Sequence, residues 1–152
     1  MKNILLIFAF FFLCACGYTS VIKNQKSNDV MISIISSQGD NEMNNLIKNQ
    51  LNIISDTKSL NIFTISFISN YEKIVITKNS AGIATDYKLN TNVEFDISKN
   101  GIMKKIKLNE SFNIKNDTEN FEQENYESTI KRNFALSIRN KLIPYLLNFD
   151  DN

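Results

Sequence analysis

Several residue types that carry enzymatic and metal chemistry are scarce or missing in this chain. The 152 residues include no histidine, two cysteines, one proline and four glycines. Without histidine the chain lacks the usual zinc ligand and the usual general base at neutral pH, so a Ser-His-Asp triad is impossible. The four glycines are dispersed and cannot form a glycine-rich phosphate loop. The sequence therefore predicts a protein that is not an enzyme and holds no metal.

Neither sign of charge dominates. Seventeen Lys and Arg residues stand against sixteen Asp and Glu, a net charge of +1. A nucleic-acid-binding domain would be expected to show a basic excess, so nucleic acid is not a predicted partner. Asp86, Glu94 and Asp96 share one face of a predicted strand, and we interpret this row of carboxylates as solvated surface.

The first seventeen residues begin with a short apolar run. Lys2 precedes the run Ile4–Leu13, and about ten apolar residues are typical of a signal peptide rather than a helix that spans roughly 30 Å of bilayer. The sequence Leu13-Cys14-Ala15-Cys16 that closes it resembles a bacterial lipobox. That resemblance implies a diacylglyceryl group on the Cys16 thiol, cleavage before Cys16 and N-acylation of the new terminus.

The residue after Cys16 is Gly17, not Asp, which by the sorting rule of enteric-type bacteria favours the outer membrane and its periplasmic face. Cys14 leaves with the signal and Cys16 carries lipid, so no thiol remains for a disulfide or a metal. We predict a signal peptide at 1–15, a lipidated tether at 16–29 and one periplasmic domain at 30–152. The covalent lipid is the only predicted attachment, with no cofactor. An uncleaved anchor with two incidental cysteines is the alternative.

Apolar periodicity predicts the element order β-α-β-β-β-α. A strand starts at Val30, Asp40 can cap the following helix, and that helix stops near Ser55. Its predicted apolar face is Met43, Leu46, Ile47, Leu51 and Ile54, with Asn44 on the polar side. A strand over Asn61–Thr77 changes apolar phase around Ser69-Asn70, which predicts a bulge or bend there.

A hairpin centred on Asn100-Gly101 is the clearest pattern. Apolar residues hold odd positions before the turn and even positions after it, and Asn-Gly favours a two-residue type I′ turn. In that register Phe95 faces Ile106 and Tyr87 faces Ile114. A slip of one residue would move every apolar side chain to the other face.

Helical periodicity returns from Thr118 to Phe149. Its apolar stripe is Tyr126, Ile130, Phe134, Ile138, Leu142, Tyr145, Leu146 and Phe149. Pro144 is predicted to kink the helix or end it near Ile143. The predicted fold is α+β: a two-layer sandwich with a mixed, mostly antiparallel four-stranded sheet, two helices on one face, and a polar opposite face.

Lysines gather at the hairpin. They are Lys99, Lys104, Lys105, Lys107 and Lys115, with only Glu110 opposing them locally. One interpretation is an edge strand protected against unwanted pairing. The other is a site for an anionic glycolipid or a phosphate, to which lysine offers point charge.

The whole arrangement resembles the LptE family of lipopolysaccharide-assembly lipoproteins. The features in common are the start Cys16-Gly17-Tyr18, the segment Gly82–Leu89 that opens a long alternating strand, the turn at Gly101 and the closing helix with Tyr126 near its start. The resemblance covers essentially the whole chain.

Membership of that family would imply an outer-membrane lipoprotein that plugs the LptD β-barrel, assists its assembly and binds lipopolysaccharide during insertion into the outer leaflet. Lipopolysaccharide-binding residues of the family are basic, and Lys99, Lys104, Lys105 and Lys107 are our candidates from local charge alone. The alternatives are an auxiliary lipoprotein of an ABC-type envelope transporter and a structural envelope lipoprotein.

Overall fold

A computed structural model describes residues 30–116 and 120–150. Its elements are β1 (Met31–Gly39), α1 (Asn41–Ile54), β2 (Ile62–Lys78), β3 (Ala84–Lys99), β4 (Ile102–Lys115) and α2 (Asn120–Leu147). The predicted element order is confirmed. The predicted signal peptide, the tether and Cys16 lie outside the described residues. Within the described ranges, neither helix has the length and apolar character that crossing a membrane requires.

The sheet has the order β1-β2-β3-β4, with β1 parallel to β2 and the other pairs antiparallel. The predicted hairpin register is confirmed, because Phe95 pairs with Ile106 and Tyr87 with Ile114. Asn100 and Gly101 both have positive φ, 52° and 85°, as a type I′ turn requires. Turn chemistry and apolar phase therefore fix the same pairing.

One apolar core lies between the sheet and the two helices, which confirms the α+β sandwich. Its largest fully buried side chains are Phe63, Phe95, Phe149, Met43, Ile47, Leu51, Ile65, Leu89, Ile97, Ile138, Leu142 and Leu146. The rings of Phe63 and Phe149 meet edge to face, 5.5 Å between centroids, and so join the start of β2 to the end of α2. Burying a side chain of this size contributes roughly 1.5–3 kcal/mol.

Helix α1 begins as predicted, because the Asp40 carboxylate accepts a hydrogen bond from the Met43 backbone N–H at 2.8 Å. Its end at Ile54 also matches. Asn44, predicted on the polar side, is buried instead. Its Oδ1 accepts a hydrogen bond from the Ser69 hydroxyl at 2.9 Å, and a polar group paired in this way can be buried at little cost.

The predicted bulge at Ser69-Asn70 is wrong. The β2–β3 register runs without a break from Thr64 to Val75, and the irregularities fall between Val75 and Lys78. The apolar change of phase that suggested a bulge is real in sequence, but Ile74 is exposed. Tyr71 and Lys73 continue the inner face of β2 in place of apolar residues. Their polar groups are accommodated there because both donate hydrogen bonds to Glu127 of α2.

Of the two outcomes predicted for Pro144, a kink or a helix end near Ile143, the helix end does not occur. Helix α2 continues through Pro144 to Leu147, and the Asn148 N–H still donates to the Pro144 carbonyl at 3.1 Å. Proline removes one hydrogen bond from the preceding turn, while burial of Leu146 and Phe149 holds the final turn against the sheet. Tyr126 departs from the predicted stripe as well and is half exposed.

Gly39 ends β1 where the chain touches its neighbour strand. Its φ is +94°, and a Cβ at this position would stand 1.8 Å from the Ser69 carbonyl oxygen. Gly82 has a similar φ of +80° with nothing within 4 Å of the corresponding point. A side chain at Gly82 would therefore meet backbone strain alone, whereas a side chain at Gly39 would meet both strain and a steric clash.

We predict that Gly39→Ala lowers the free energy of unfolding by about 3 kcal/mol or more, since strain at positive φ adds to overpacking against backbone. Gly82→Ala, the matched control, should cost only about 1 kcal/mol, because it carries the strain alone. Urea denaturation of both variants measures the difference. Equal losses would contradict the close approach at Gly39.

Candidate functional surface

The sheet face opposite the helices is uncovered in the described structure, and we call it the outer sheet face. Its polar members include Asn70, Glu72, Asp86, Lys88, Asn90, Asn92, Glu94, Asp96, Lys105, Lys107, Asn109, Ser111, Asn113 and Lys115. They reach this face because side chains alternate along a strand and the intervening residues enter the core. The face predicted to be polar is polar on β3 and β4, while β2 adds the exposed apolar side chains of Ile62, Ile68 and Ile74 to it.

A row of amides crosses the middle of the outer sheet face. Asn92 is paired in register with Asn70 on one side and with Asn109 on the other. The Asn109 Nδ2 donates to the Asn92 Oδ1 at 2.7 Å and to the Asn90 Oδ1 at 3.0 Å. Neighbours therefore orient these amides, and a partner would meet a hydrogen-bonding surface that is already ordered.

Ion pairs lie beside the amide row. The Lys107 Nζ is 2.6 Å from a Glu94 oxygen, and the Lys105 Nζ is 2.9 Å from an Asp96 oxygen. All four side chains are substantially exposed, so each pair contributes at most about 1 kcal/mol. The pairs leave this part of the face close to electrically neutral.

The four candidate lysines are not brought together on one face. Lys105 and Lys107 lie on the outer sheet face, whereas Lys99 and Lys104 lie on the helix side of the sheet. The strand period of two separates Lys104 from its neighbour Lys105. Local counting also missed the carboxylates that β3 and the end of α2 supply.

Both lysines on the helix side contact the end of α2. The Lys99 Nζ is 2.5 Å from an Asp150 oxygen and 5.3 Å from the centroid of the Phe63 ring. The Lys104 Nζ donates to the Phe149 carbonyl and lies 4.6 Å from the centroid of that ring. These two lysines have a structural role, and lipopolysaccharide binding by the four stays a prediction.

The row of carboxylates interpreted as surface is partnered. Glu94 and Asp96 pair with lysines as described above, and Asp86 accepts hydrogen bonds from the hydroxyls of Thr77 and Thr85. The Thr77 hydrogen bond, then that of Thr85, lowers the pKa of Asp86 below its usual value. The row therefore consists of separate local pairs rather than a coupled acid and base.

A second polar cluster, not foreseen from the sequence, joins β2 to both helices. The Tyr71 hydroxyl donates to the Glu127 Oε1 at 2.7 Å, and the Lys73 Nζ donates to the Glu127 Oε2 at 2.8 Å. The Lys131 Nζ lies 4.4 Å from the centroid of the Tyr71 ring and 2.6 Å from a Glu42 oxygen. Five residues from three elements thus form one network, which we call the Glu127 cluster.

The pKa values of two residues in the Glu127 cluster are shifted. Burial acts to raise the pKa of Glu127, but hydrogen bonds from Lys73 and Tyr71 and the charges of Lys73 and Lys131 outweigh it, so the pKa is lowered. Burial, followed by the hydrogen bond and charge of Glu127, raises the pKa of Tyr71. Glu127 is therefore ionised at neutral pH and holds α2 to β2, while Lys131 links α2 to Glu42 of α1.

Comparison with known proteins bears on the fold. No family model and no curated protein match the sequence. Among solved structures, the chain is similar to rare lipoprotein B from Shewanella oneidensis, with a TM-score of 0.58 and 16% identity over 79% of this chain and 98% of that one. At 16% sequence identity, this similarity shows a shared fold and nothing about function.

Two further solved structures are similar. A minor lipoprotein from Acinetobacter baumannii has a TM-score of 0.51 and 14% identity, over 77% of this chain and 92% of that one. An uncharacterized lipoprotein B from Nitrosomonas europaea has a TM-score of 0.50 and 10% identity, over 82% and 88%. This chain therefore has a fold found in lipoproteins of the lipoprotein B type.

We predict that Glu127→Gln lowers the free energy of unfolding by about 1–2 kcal/mol at pH 7, because charge-assisted hydrogen bonds are lost. The native pKa of Glu127 is lowered, so its contribution is present above the pKa of the unfolded chain and is lost as pH falls through the native pKa. The difference from wild type should therefore shrink on acidification.

Thermal unfolding between pH 7 and pH 3 measures this dependence. Glu124→Gln is the matched control, since Glu124 is exposed on the same helix. A difference between wild type and Glu127→Gln that stays constant over this pH range would show that the charge of Glu127 does not stabilise the fold.

Proposed function

We propose that this protein is an outer-membrane lipoprotein, anchored through acylated Cys16, that acts as an LptE-like partner of an LptD-like β-barrel. The outer sheet face is the observation that carries the proposal, since its part on β3 and β4 is an exposed polar surface on a fold also found in rare lipoprotein B from Shewanella oneidensis. The lipobox ending at Cys16 supports the anchor.

The polar side chains of the outer sheet face suit a partner whose contacting surface is polar and hydrated. A protein seated in the water-filled lumen of a barrel needs a hydrogen-bonding exterior and a rigid core. The ordered amides of Asn92 and Asn109 supply the first, and burial beneath two helices supplies the second. Because the amides are already oriented, less conformational entropy is lost when a partner binds.

The proposal includes assistance in barrel assembly and binding of lipopolysaccharide. Lys105 and Lys107 are the two candidate lysines on the outer sheet face, and their side chains are 84% and 63% exposed. An anionic group could replace Asp96 and Glu94 as their partners at small cost, because exposed ion pairs are weak. The proposal includes no catalytic activity, in line with the prediction from composition.

Purification of the native protein from detergent-solubilised envelope tests the main claim. We expect a large outer-membrane β-barrel to co-purify and mass spectrometry to show a diacylglyceryl and an N-acyl group on Cys16. Recovery of inner-membrane transporter subunits instead would favour the transporter alternative. An unmodified Cys16 thiol would contradict the proposed anchor.

We predict that Asn70→Arg reduces barrel capture at least tenfold, since a long charged side chain would enter the middle of the outer sheet face. A tenfold loss corresponds to about 1.4 kcal/mol. Asn49→Arg places the same side chain on an exposed position of α1 and should leave capture unchanged. Quantitative co-purification measures both, with thermal unfolding as a check on the fold. Equal capture by the two variants would exclude the outer sheet face as the contact.

We predict that the double variant Lys105→Gln/Lys107→Gln binds lipopolysaccharide several-fold more weakly at low salt, with a smaller difference at high salt because exposed charges are screened. Lys88→Gln removes an exposed lysine elsewhere on the outer sheet face and serves as the control. Lys104 is left intact because it contacts Phe149. Unchanged affinity in the folded double variant would remove these lysines from the proposal.

A further inference from the structure

An open groove lies beside the free edge of β4, near the end of that strand. Within residues 30–116 and 120–150, β4 is the outermost strand of the sheet, and no further strand pairs with its other side. The groove has a volume of about 740 Å³ and separates the last residues of β4 from the first turns of α2. A cavity of this size is typical of a ligand site. Its lining includes Phe112, Asn113, Lys115, Gln123 and Tyr126.

Backbone groups of alternate β4 residues face this free edge. In an antiparallel pair, every second residue bonds across to the partner strand, and the residues between them direct their N–H and C=O groups away from it. The Asn116 N–H donates to the Thr85 carbonyl at 2.7 Å, so the even-numbered residues bond to β3. Ser111, Asn113 and Lys115 therefore direct their backbone donors and acceptors to the edge beside the groove.

A contact with α2 supports this direction further along the strand. The Lys141 Nζ donates to the Asn109 carbonyl at 3.3 Å, so this odd-numbered residue does direct its oxygen away from β3. The same ammonium group lies 2.6 Å from a Glu110 oxygen. Helix α2 thus supplies a partner to the edge at Asn109, whereas the described side chains supply none to the backbone from Ser111 to Lys115.

Two aromatic rings are left exposed at the groove. Phe112 lies on the helix side of the sheet and is paired with Leu89, which is fully buried. Phe112 itself is nevertheless 46% exposed, and Tyr126 of α2 is 51% exposed. An apolar side chain seated in the groove would bury part of both rings, and buried aromatic surface is a large source of binding energy.

Gln123 adds a polar group to the groove. Its side chain is buried, and its Nε2 has no hydrogen-bond partner in the part of the chain that the structure describes. Buried donors in folded proteins are almost always paired. The amide therefore lacks an acceptor that an occupant of the groove can supply, and a backbone carbonyl is such an acceptor.

These features together favour an extended polypeptide as the occupant. Another strand matches a row of alternating backbone donors and acceptors, whereas an acyl chain would leave that row unanswered. A strand also places side chains at alternate positions on the helix side, where one can reach the two rings. A second copy of β4 is disfavoured, because lysines on an edge strand oppose the pairing of like strands and β4 carries four lysines and one glutamate.

The other free edge, that of β2, does not combine these features. Strand β1 ends opposite Ser69, so the described part of the chain leaves β2 unpaired on that side from Asn70 onward. The helix side of this segment is already filled, because Tyr71 and Lys73 bond to Glu127 there. The edge of β4 is therefore the better site for an added strand.

We propose that the groove beside Ser111–Lys115 binds an extended segment of a partner polypeptide, which joins the sheet as a further strand and seats one apolar side chain against Phe112 and Tyr126. Gln123 donates to a carbonyl of that segment. The inference does not depend on the proposed barrel contact, because it uses the edge of the sheet rather than the outer sheet face.

A library of short random peptides displayed on phage, selected on the full chain purified in detergent, provides the probe. The selected peptides are then synthesised and titrated. We expect a bound peptide to slow amide hydrogen exchange, measured by NMR, about tenfold or more at Ser111, Asn113 and Lys115. Phe112 and Ile114 should change little, because their N–H groups already bond to β3.

Asn113→Pro removes an N–H that faces the edge, and proline is tolerated at such positions of an edge strand. It should weaken binding of the selected peptide about tenfold or more, whereas the matched control Asn113→Ala keeps the N–H and should change it less than about twofold. Gln123→Met should weaken binding several-fold and raise the melting temperature, because it replaces an unpaired buried donor by an apolar group of similar size. Thermal unfolding of all variants checks the fold.

The exchange pattern is measured on the wild-type chain, so it decides the matter even if Asn113→Pro fails to fold. Selection of no peptide, equal losses for the two Asn113 variants, or slowed exchange without the alternation would overturn the proposal. Slowed exchange at this edge that grows with protein concentration in the absence of peptide would do so too, by assigning the edge to a second copy.

Asn70→Arg, which tests the barrel contact on the outer sheet face, should bind the selected peptide as the wild type does. Failure of the barrel contact and failure of strand addition are therefore measured separately.

Discussion

Burial of a single face of the sheet beneath two helices is the interaction on which the rest of the molecule depends. Along β3 the odd-numbered residues from Leu89 to Ile97 are fully buried, and the pleat sends their even-numbered neighbours to the opposite face. The same alternation therefore creates the core and the outer sheet face. A shift in the register of β3 against β4 would damage both at once, because it would exchange the two sets of side chains.

Features fixed by neighbours in sequence could be predicted, and features fixed by distant partners could not. The hairpin register follows from Asn100-Gly101 and the apolar phase beside it, and the start of α1 follows from Asp40 three residues before Met43. The face of Asn44 depends on Ser69, 25 residues away. A polar residue whose partner comes from another element looks exposed when only its own helix is considered.

The same reasoning explains the lysines and the Glu127 cluster. Counting charges along the hairpin gives a basic segment, but Asp150, which follows α2, and Glu94 and Asp96 of the paired strand oppose those lysines in space. The Tyr71 hydroxyl likewise meets Glu127 across 56 positions of sequence. Sequence spacing shows which residues share a face of one element, whereas ion pairs between elements depend on how those elements pack.

Because the net charge of the chain is only +1, electrostatic attraction would contribute little to its encounters with partners. Paired charges on the outer sheet face give little long-range steering. An acylated Cys16 would supply by confinement what the surface lacks in electrostatic attraction, because a tethered surface meets its target at high effective concentration. A weak contact on the outer sheet face would then suffice, and the core beneath the sheet would keep the shape of that face constant.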